Sequence, residues 1–386
     1  MDCPFALSAL SVERWTLRTQ TGNAALIEFI RDEIRKRGPQ SFAWFMEQVL
    51  YHPEQGYYSS GGCAIGRKGD YFTNVSVGPL FGQLMAAQLA EVWEQLGKIN
   101  DFVIVEQGAH DGQFARDVLQ SSQEHMPEFF EASRYRIIEP FPILREWQSQ
   151  TLEPFRDKVE WRSSIEPFTG IHFSNELLDA MPVHLISGDV EKLVDFQGDK
   201  FLFIHRPLSS TAFNQATLDW VDTLAANLQR GYVITIDYGH SRNEFQGNVQ
   251  VRARHRHLDS PFEQIGHADI TMQVDWRSIA RRAEASGLAI AGFSDQHHFL
   301  TGLISMWPDV VQACPPNSTA LSRRVHNADA DHKTKRALQT LLHPEMLGRA
   351  FQVLALAKNV DSGAPQLAGF KFAREPRAAL GLGNPN

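Results

Sequence analysis

From Phe102 onward the chain alternates short, continuously apolar runs with stretches whose apolar residues recur at helical spacing. The first run, 102–106, leads into Gln113 to Gln120, which sets Phe114, Ala115, Val118 and Leu119 on one face. Further runs occupy 135–139, 159–161, 171–175 and 232–236, and Leu288–Phe293 and Phe351–Ala357 close the series. This alternation predicts a parallel sheet with helical crossovers. Ahead of it, Ala24 to Arg37 spaces Ile27, Ile30 and Ile34 as a helix that Gly38-Pro39 stops. Ser41 is positioned to cap a second helix through Leu50, and a third helical pattern runs from Pro79 to Leu96.

The period changes inside the series. Val183–Ser187, Lys192–Phe196 and Phe201–His205 are separated by Gly188-Asp189 and Gln197-Gly198-Asp199, turn signals that predict a small antiparallel insertion. Arg242 to Thr271 is polar, rich in His and Arg, and aperiodic, and reads as an ordered lid or insertion. The expected organisation is a loose arm over 1–23 and N-terminal helices with a loop over 24–100. A core follows over 101–358, with insertions at 183–206, 240–275 and 300–345, and a flexible tail over 359–386. The fold expected is α/β, a doubly wound, Rossmann-like sheet. Its ending matters, because a last strand paired antiparallel is what class I methyltransferases add to this plan and nicotinamide dehydrogenases generally lack.

Three stretches read as one site. Val105-Glu106-Gln107-Gly108-Ala109-His110-Asp111-Gly112 runs from a strand into a glycine turn, and Tyr135-Arg136-Ile137-Ile138-Glu139 is a strand that ends on an acid. A strand, glycine turn and helix followed by a strand ending in Glu is how such sheets hold a nucleoside, the acid accepting ribose hydroxyls. Glu106 would bond loop amides beneath the cofactor. The third stretch, Ser174-Asn175-Glu176-Leu177-Leu178-Asp179-Ala180-Met181-Pro182, sets Glu176 and Asp179 three apart, on one face of an expected helix. Two readings stand for them: acids meeting a helix dipole behind an Asn175 cap, or carboxylates converging on a guanidinium. In the loop from Gly56 to Gly78, Gly69, Asp70 and Thr73 are either turn residues or cofactor contacts.

Composition narrows the partners. A 43% apolar content supplies a full core, and a net charge of −8 argues against nucleic acid as the main partner despite Arg252, Arg254 and Arg256. Cys3, Cys63 and Cys314 lack metal or disulfide spacing and suit a reducing cytoplasm. No apolar run reaches the roughly 18 residues of a membrane span. The histidines at 255, 257, 267, 297 and 298 fit no zinc pattern, so no metal is expected.

Several segments resemble the MidA-type methyltransferases, a family that includes a mitochondrial arginine methyltransferase assisting complex I assembly. They are Leu50 to Tyr58, Gly66 to Thr73, Gly78 to Gly82, Val105 to Ala109, Asn175 to Val183, Asp237 to His240, Ile265 to Thr271 and Gln296 to Leu300. The Asn-Glu-x-x-Asp-Ala-x-Pro stretch and the Gly-Asp loop are the more specific of these. The resemblance implies S-adenosylmethionine as cofactor, held by Gly69, Asp70, Thr73, Glu106, Gly108, Ala109, Gly112, Glu139 and Asn175. It implies a protein arginine as acceptor, oriented by Glu176 and Asp179 as catalytic residues. The chain departs from the family's Gly-x-Gly-x-Gly turn at His110, where glycine would enter positive φ freely. Two alternatives stay open: a catalytically weak, cofactor-binding assembly factor and a nicotinamide oxidoreductase. The oligomeric state is not legible.

Overall fold

The computed structural model describes residues 21–62, 73–208, 212–240, 249–254, 256–307, 332–361 and 363–383. The strands, in chain order, are β1 (Gln40–Ser41), β2 (Phe102–Gln107), β3 (Ser133–Ile138), β4 (Val159–Arg162) and β5 (Phe168–Asn175). They continue with β6 (Leu185–Ser187), β7 (Val190–Gln197), β8 (Lys200–Pro207), β9 (Leu228–His240) and β10 (Val249–Ala253). The last are β11 (Arg256–His257), β12 (Asp269–Met272), β13 (Val274–Asp275), β14 (Ala289–Asp295) and β15 (Phe351–Lys358). Helices used below are α1 (Ala24–Arg37), α2 (Phe42–Tyr51), α3 (Leu80–Gln95), α4 (Gln113–His125), α5 (Pro127–Ala132), α6 (Pro142–Thr151), α7 (Gln215–Asn227), α8 (Trp276–Ala285) and α9 (Gln296–Met306).

The chain divides into two compact units. One comprises residues 72–179, 220–246 and 273–386; the other comprises 1–71, 180–219 and 247–272. The first unit is built on an eight-stranded sheet in the order β14-β15-β9-β5-β2-β3-β4, with β13 beside β9. Strands β2, β3, β4, β5 and β9 are mutually parallel. The last strand, β15, runs antiparallel between β9 and β14. That order and that reversed strand are the class I methyltransferase plan the sequence predicted. β2 is buried along Phe102 to Glu106, as a strand covered on both faces must be.

Helix α3 packs on α4 where Gly82 lets the backbones close; a Cβ there would sit 2.5 Å from Asp117 Cβ. Phe114 of α4 stacks on Phe173 of β5 at 4.4 Å between ring centroids and anchors that layer to the sheet. The expected flexible tail is corrected. Leu367, Ala368, Phe370 and Leu380 are buried. Gly369 N donates to Gln88 Oε1 of α3 at 3.1 Å, and Ala368 N to Glu91 Oε2 at 3.0 Å. Apolar residues spaced among glycines carry no helical or strand period, so composition alone misread this segment.

In the other unit, Asn23 caps α1 and Ser41 caps α2, Ser41 Oγ accepting from Trp44 N at 3.1 Å. The antiparallel insertion forms β6, β7 and β8, with Gly188 and Gly198 turning at φ near +60° (58° and 59°), and β1 pairs with β7. Phe42, Phe45, Phe201, Phe203 and Phe262 pack as one aromatic cluster. The stretch from Arg242 to Thr271, read as aperiodic, holds a three-stranded sheet in the order β11-β10-β12. Val251 and Ala253 point inward while Gln250 and Arg252 occupy the alternate positions, and these long polar side chains hid the period.

Candidate active site

Strand register brings the functional stretches to one edge. Gln107 lies opposite Ile138 of β3 and Ser174 of β5, and Asn175 lies opposite Ile236 of β9, so β2, β3 and β5 end at one edge while β9 runs on to His240. After β4 the chain returns across β2 to lay down β5, which makes the β2/β5 boundary the topological switch point where such sheets bind ligands.

The turn after β2 enters the left-handed region three times, at Gly108 (φ 82°), His110 (φ 46°) and Gly112 (φ 81°). His110 therefore adopts the conformation that a glycine would give, and histidine is among the residues that tolerate it. Its ring lies 6.2 Å from the Trp147 centroid, with Nδ1 3.6 Å from an Asp111 carboxylate oxygen. Ala109 closes the turn by accepting from Gly112 N at 2.8 Å.

Glu139 follows β3 and is 5% exposed. Its Oε1 accepts from Phe141 N at 3.0 Å and its Oε2 from Gln148 Nε2 at 3.1 Å, while burial raises its pKa above the ordinary carboxylate value. Gln148, fully buried on α6, also donates to the His110 carbonyl at 2.9 Å and accepts from Trp161 Nε1 at 2.9 Å. One side chain thus ties the glycine turn to the acid. The sequence reading passed over it; the available signal was an amide one turn after Leu144, on the buried face of a helix.

Glu106 is corrected in detail. Its described partner is the Tyr135 hydroxyl, which donates to Oε2 at 2.8 Å, and not a loop amide. Burial pushes its pKa up to about 8, so it is a neutral carboxylic acid beneath the turn at pH 7.

The stretch after β5 is not a helix. Glu176 sits at φ 54°, its N–H donating to Ile236 O at 2.9 Å, and Met181 precedes proline, which disfavours helix. The amides that a helix would have used go elsewhere: Leu178 N and Asp179 N donate to Asp237 Oδ2 at 2.7 and 3.1 Å. Asp237, fully buried on β9, takes Tyr238 N at 2.7 Å on its other oxygen. Glu176 and Asp179 therefore share a turn clamped by Asp237, not a helical face, and Asn175 is no helix cap. Asn175 Oδ1 accepts from Asn74 Nδ2 at 2.8 Å, its Nδ2 donates to Glu176 Oε1 at 2.9 Å, and Asn74 Oδ1 accepts from Gln296 Nε2 at 2.9 Å. Asn74, Gln296 and Asp237 are further polar residues missed as site members, although Gln296 and Asp237 fell in segments that carried the resemblance. Thr73 exchanges hydrogen bonds with Ser76, closing the short turn beside Asn74. Gly69 and Asp70 lie outside the described residues.

Residues 84–294, more than half of the chain, match the family described as "Putative S-adenosyl-L-methionine-dependent methyltransferase". The chain belongs to this family. A solved protein from Burkholderia thailandensis with S-adenosyl-homocysteine bound is similar to it at 27% identity and a TM-score of 0.78, over 90% of this chain and 94% of that one. Among curated relatives, a Drosophila melanogaster protein named as a mitochondrial protein arginine methyltransferase, an NDUFAF7 homologue, is 25% identical over 89% of this chain and 87% of its own. The Danio rerio mitochondrial protein arginine methyltransferase NDUFAF7 is 24% identical over 89% and 90%. The cofactor of the methyltransferase is S-adenosyl-L-methionine, and the nicotinamide alternative falls. The expectation of a cytoplasmic protein is overturned as well, because these relatives are named as mitochondrial; cysteine spacing in a sequence speaks only to redox conditions and cannot tell one reducing compartment from another. No helix among the described residues is long and apolar enough to cross a membrane.

The site's chemistry suits the cofactor. A turn with three left-handed residues presents backbone closely, and each Glu139 oxygen takes one protein donor and keeps a lone pair for a hydroxyl.

Proposed function

We propose that this methyltransferase acts on the arginine side chain of a protein, with Glu176 and Asp179 receiving the guanidinium. The observation that carries this reading is the Asp237-clamped turn, which puts two carboxylates into four positions at the ligand-binding edge of the sheet. The names of the fly and zebrafish relatives support the same acceptor. In this reading Glu139 takes the ribose, and the turn Gly108-Ala109-His110-Asp111-Gly112 lies along the cofactor. Glu106 is a neutral prop beneath the turn, and Thr73 and Asn175 contribute further cofactor contacts, a role that the resemblance also implies for Gly69 and Asp70.

When bound, S-adenosyl-L-methionine supplies a methyl group on a sulfonium; its transfer to nitrogen leaves S-adenosylhomocysteine and releases one guanidinium proton. The protein's share is alignment and charge. Paired hydrogen bonds from the guanidinium to Glu176 and Asp179 fix the acceptor nitrogen and hold positive charge on the far side of the group. A carboxylate there also takes the departing proton, which a guanidinium with a pKa above about 12 does not release unaided. Glu176→Gln keeps size and hydrogen-bonding capacity and removes the charge. Expected are loss of methylarginine from labelled extract proteins, read by mass spectrometry, and S-adenosylhomocysteine affinity within a few-fold of the parent. Retained transfer would overturn the assignment.

A second reading rests on His110, whose place in the glycine turn suits a weakly catalytic, cofactor-binding assembly factor. Cofactor binding without any methyl incorporation would select it.

A further inference from the structure

Within the unit that holds the aromatic cluster lies a cavity of about 600 Å³. Among the described residues its lining includes Arg254, Arg256, His267, Gln264 and Leu258. β10 is held in register by β12 from Val249–Met272 to Arg252–Asp269, and β11 folds back on it with Arg256 opposite Ala253. Arg254 occupies the turn between them at φ 50°, so the backbone fixes where both arginines emerge. The chain as a whole carries −8, so this is a local reversal of sign.

A volume in the range of roughly 300–1,000 Å³ takes whole ligands rather than single ions. The Arg256 guanidinium favours a planar carboxylate, which it can bind through paired hydrogen bonds. An acidic partner is repelled by the rest of a negatively charged protein and drawn to this cavity.

We propose that the cavity docks a carboxylate-rich segment of the acceptor protein, remote in sequence from the arginine that is modified. This rests on the reading that the acceptor is a protein. The site gives the enzyme a second recognition element, selecting acceptors by an acidic stretch as well as by an accessible arginine.

The test is a titration of the full chain with a fluorescent octapeptide of alternating Glu and Gly, read by anisotropy, with a Lys-Gly octapeptide as control. The acidic peptide should bind, more weakly as salt rises, and the basic one should not. Arg256→Glu should weaken binding by about tenfold, and Arg254→Gln should weaken it to a lesser degree. Both variants should keep the parent affinity for S-adenosylhomocysteine. Equal uptake of the two peptides, or unchanged binding in Arg256→Glu, would overturn the proposal. So would displacement by inorganic phosphate at an ionic strength where chloride has no effect, which would identify a phosphate site. The peptide titration involves no methyl transfer, so an absence of arginine methylation would leave its result standing, and the converse holds too.

Discussion

Replacing Gln148 by Met keeps length, volume and helix propensity while deleting every polar contact that the side chain makes. The parent donates from Nε2 to the His110 carbonyl and to Glu139 Oε2 and accepts from Trp161 Nε1, all from a fully buried position. Losing a neutral hydrogen bond costs about 0.5–1.5 kcal/mol, and the bond to the Glu139 carboxyl costs about 1.5–3 kcal/mol when that group is ionised. Glu139 is buried while the other two contacts are part-buried, so the middle of the summed ranges applies, and the unfolding free energy should fall by about 3–5 kcal/mol. The same change frees the glycine turn from the acid at the end of β3. Affinity for S-adenosylhomocysteine should drop by about tenfold even where the protein is fully folded, equivalent to about 1.4 kcal/mol. Denaturant unfolding followed by tryptophan fluorescence gives the first quantity and calorimetric titration the second. A stability loss below about 1 kcal/mol together with parental affinity would refute the claim that Gln148 couples the turn to Glu139.

His110→Gly exchanges relief of the positive φ for a more flexible unfolded chain, so stability should stay within about 1 kcal/mol of the parent while cofactor binding tightens; weaker binding in a calorimetric titration would show that the imidazole holds the ligand. Asp237→Asn turns an amide group toward the Leu178 and Asp179 N–H donors, and should suppress methyl transfer far more than S-adenosylhomocysteine binding; equal losses would mean the clamp serves the cofactor instead. Glu106→Gln replaces a group that burial keeps protonated up to about pH 8, so stability at pH 7 should change by less than about 1 kcal/mol; a loss of several kcal/mol would mean the residue is ionised in the folded state. His172, buried on β5 with neither ring nitrogen hydrogen-bonded, has its pKa pushed down to about 3 by burial. The depressed folded value means the unfolded chain takes the proton first, so stability falls as pH drops from about 6.5 toward 3, by about 2 kcal/mol at pH 5. His172→Leu should remove that part of the acid sensitivity, and an unchanged slope of stability against pH would count against it.

The strands were legible because β2, β5 and β9 are covered on both faces and therefore read as unbroken apolar runs, with Gly108 and Glu139 punctuating them at the positions where a turn and an acid end. The turn after β5 was misread because Asn175-Glu176-Leu177-Leu178-Asp179 has helical composition; its conformation is set by Asp237, a carboxylate tens of positions away. Gln148, Asn74 and Gln296 were overlooked for a related reason. Each is an ordinary polar residue in the sequence, and its weight comes from being buried among partners that the register of the sheet assembles. The arginine-bearing strands around β10 stayed hidden because their outward side chains are all polar and their inward ones are few.

The antiparallel strand between β9 and β14 also has a bearing on how the protein is made. β9 finds its neighbour on that side only when β15 emerges, on the order of a hundred residues later in synthesis. Until then the open flank of β9, with Ile234 and Ile236 along it, is an unpaired edge of the kind that recruits strands from other chains. Translation that stalls short of Phe351 leaves a sheet that cannot close, whereas a chain cut after Lys358 loses only the packing of Phe370 and its neighbours. Aggregation during expression should therefore track the completion of β15 rather than the length of chain released, and co-expressed holdase chaperones should help most in that interval.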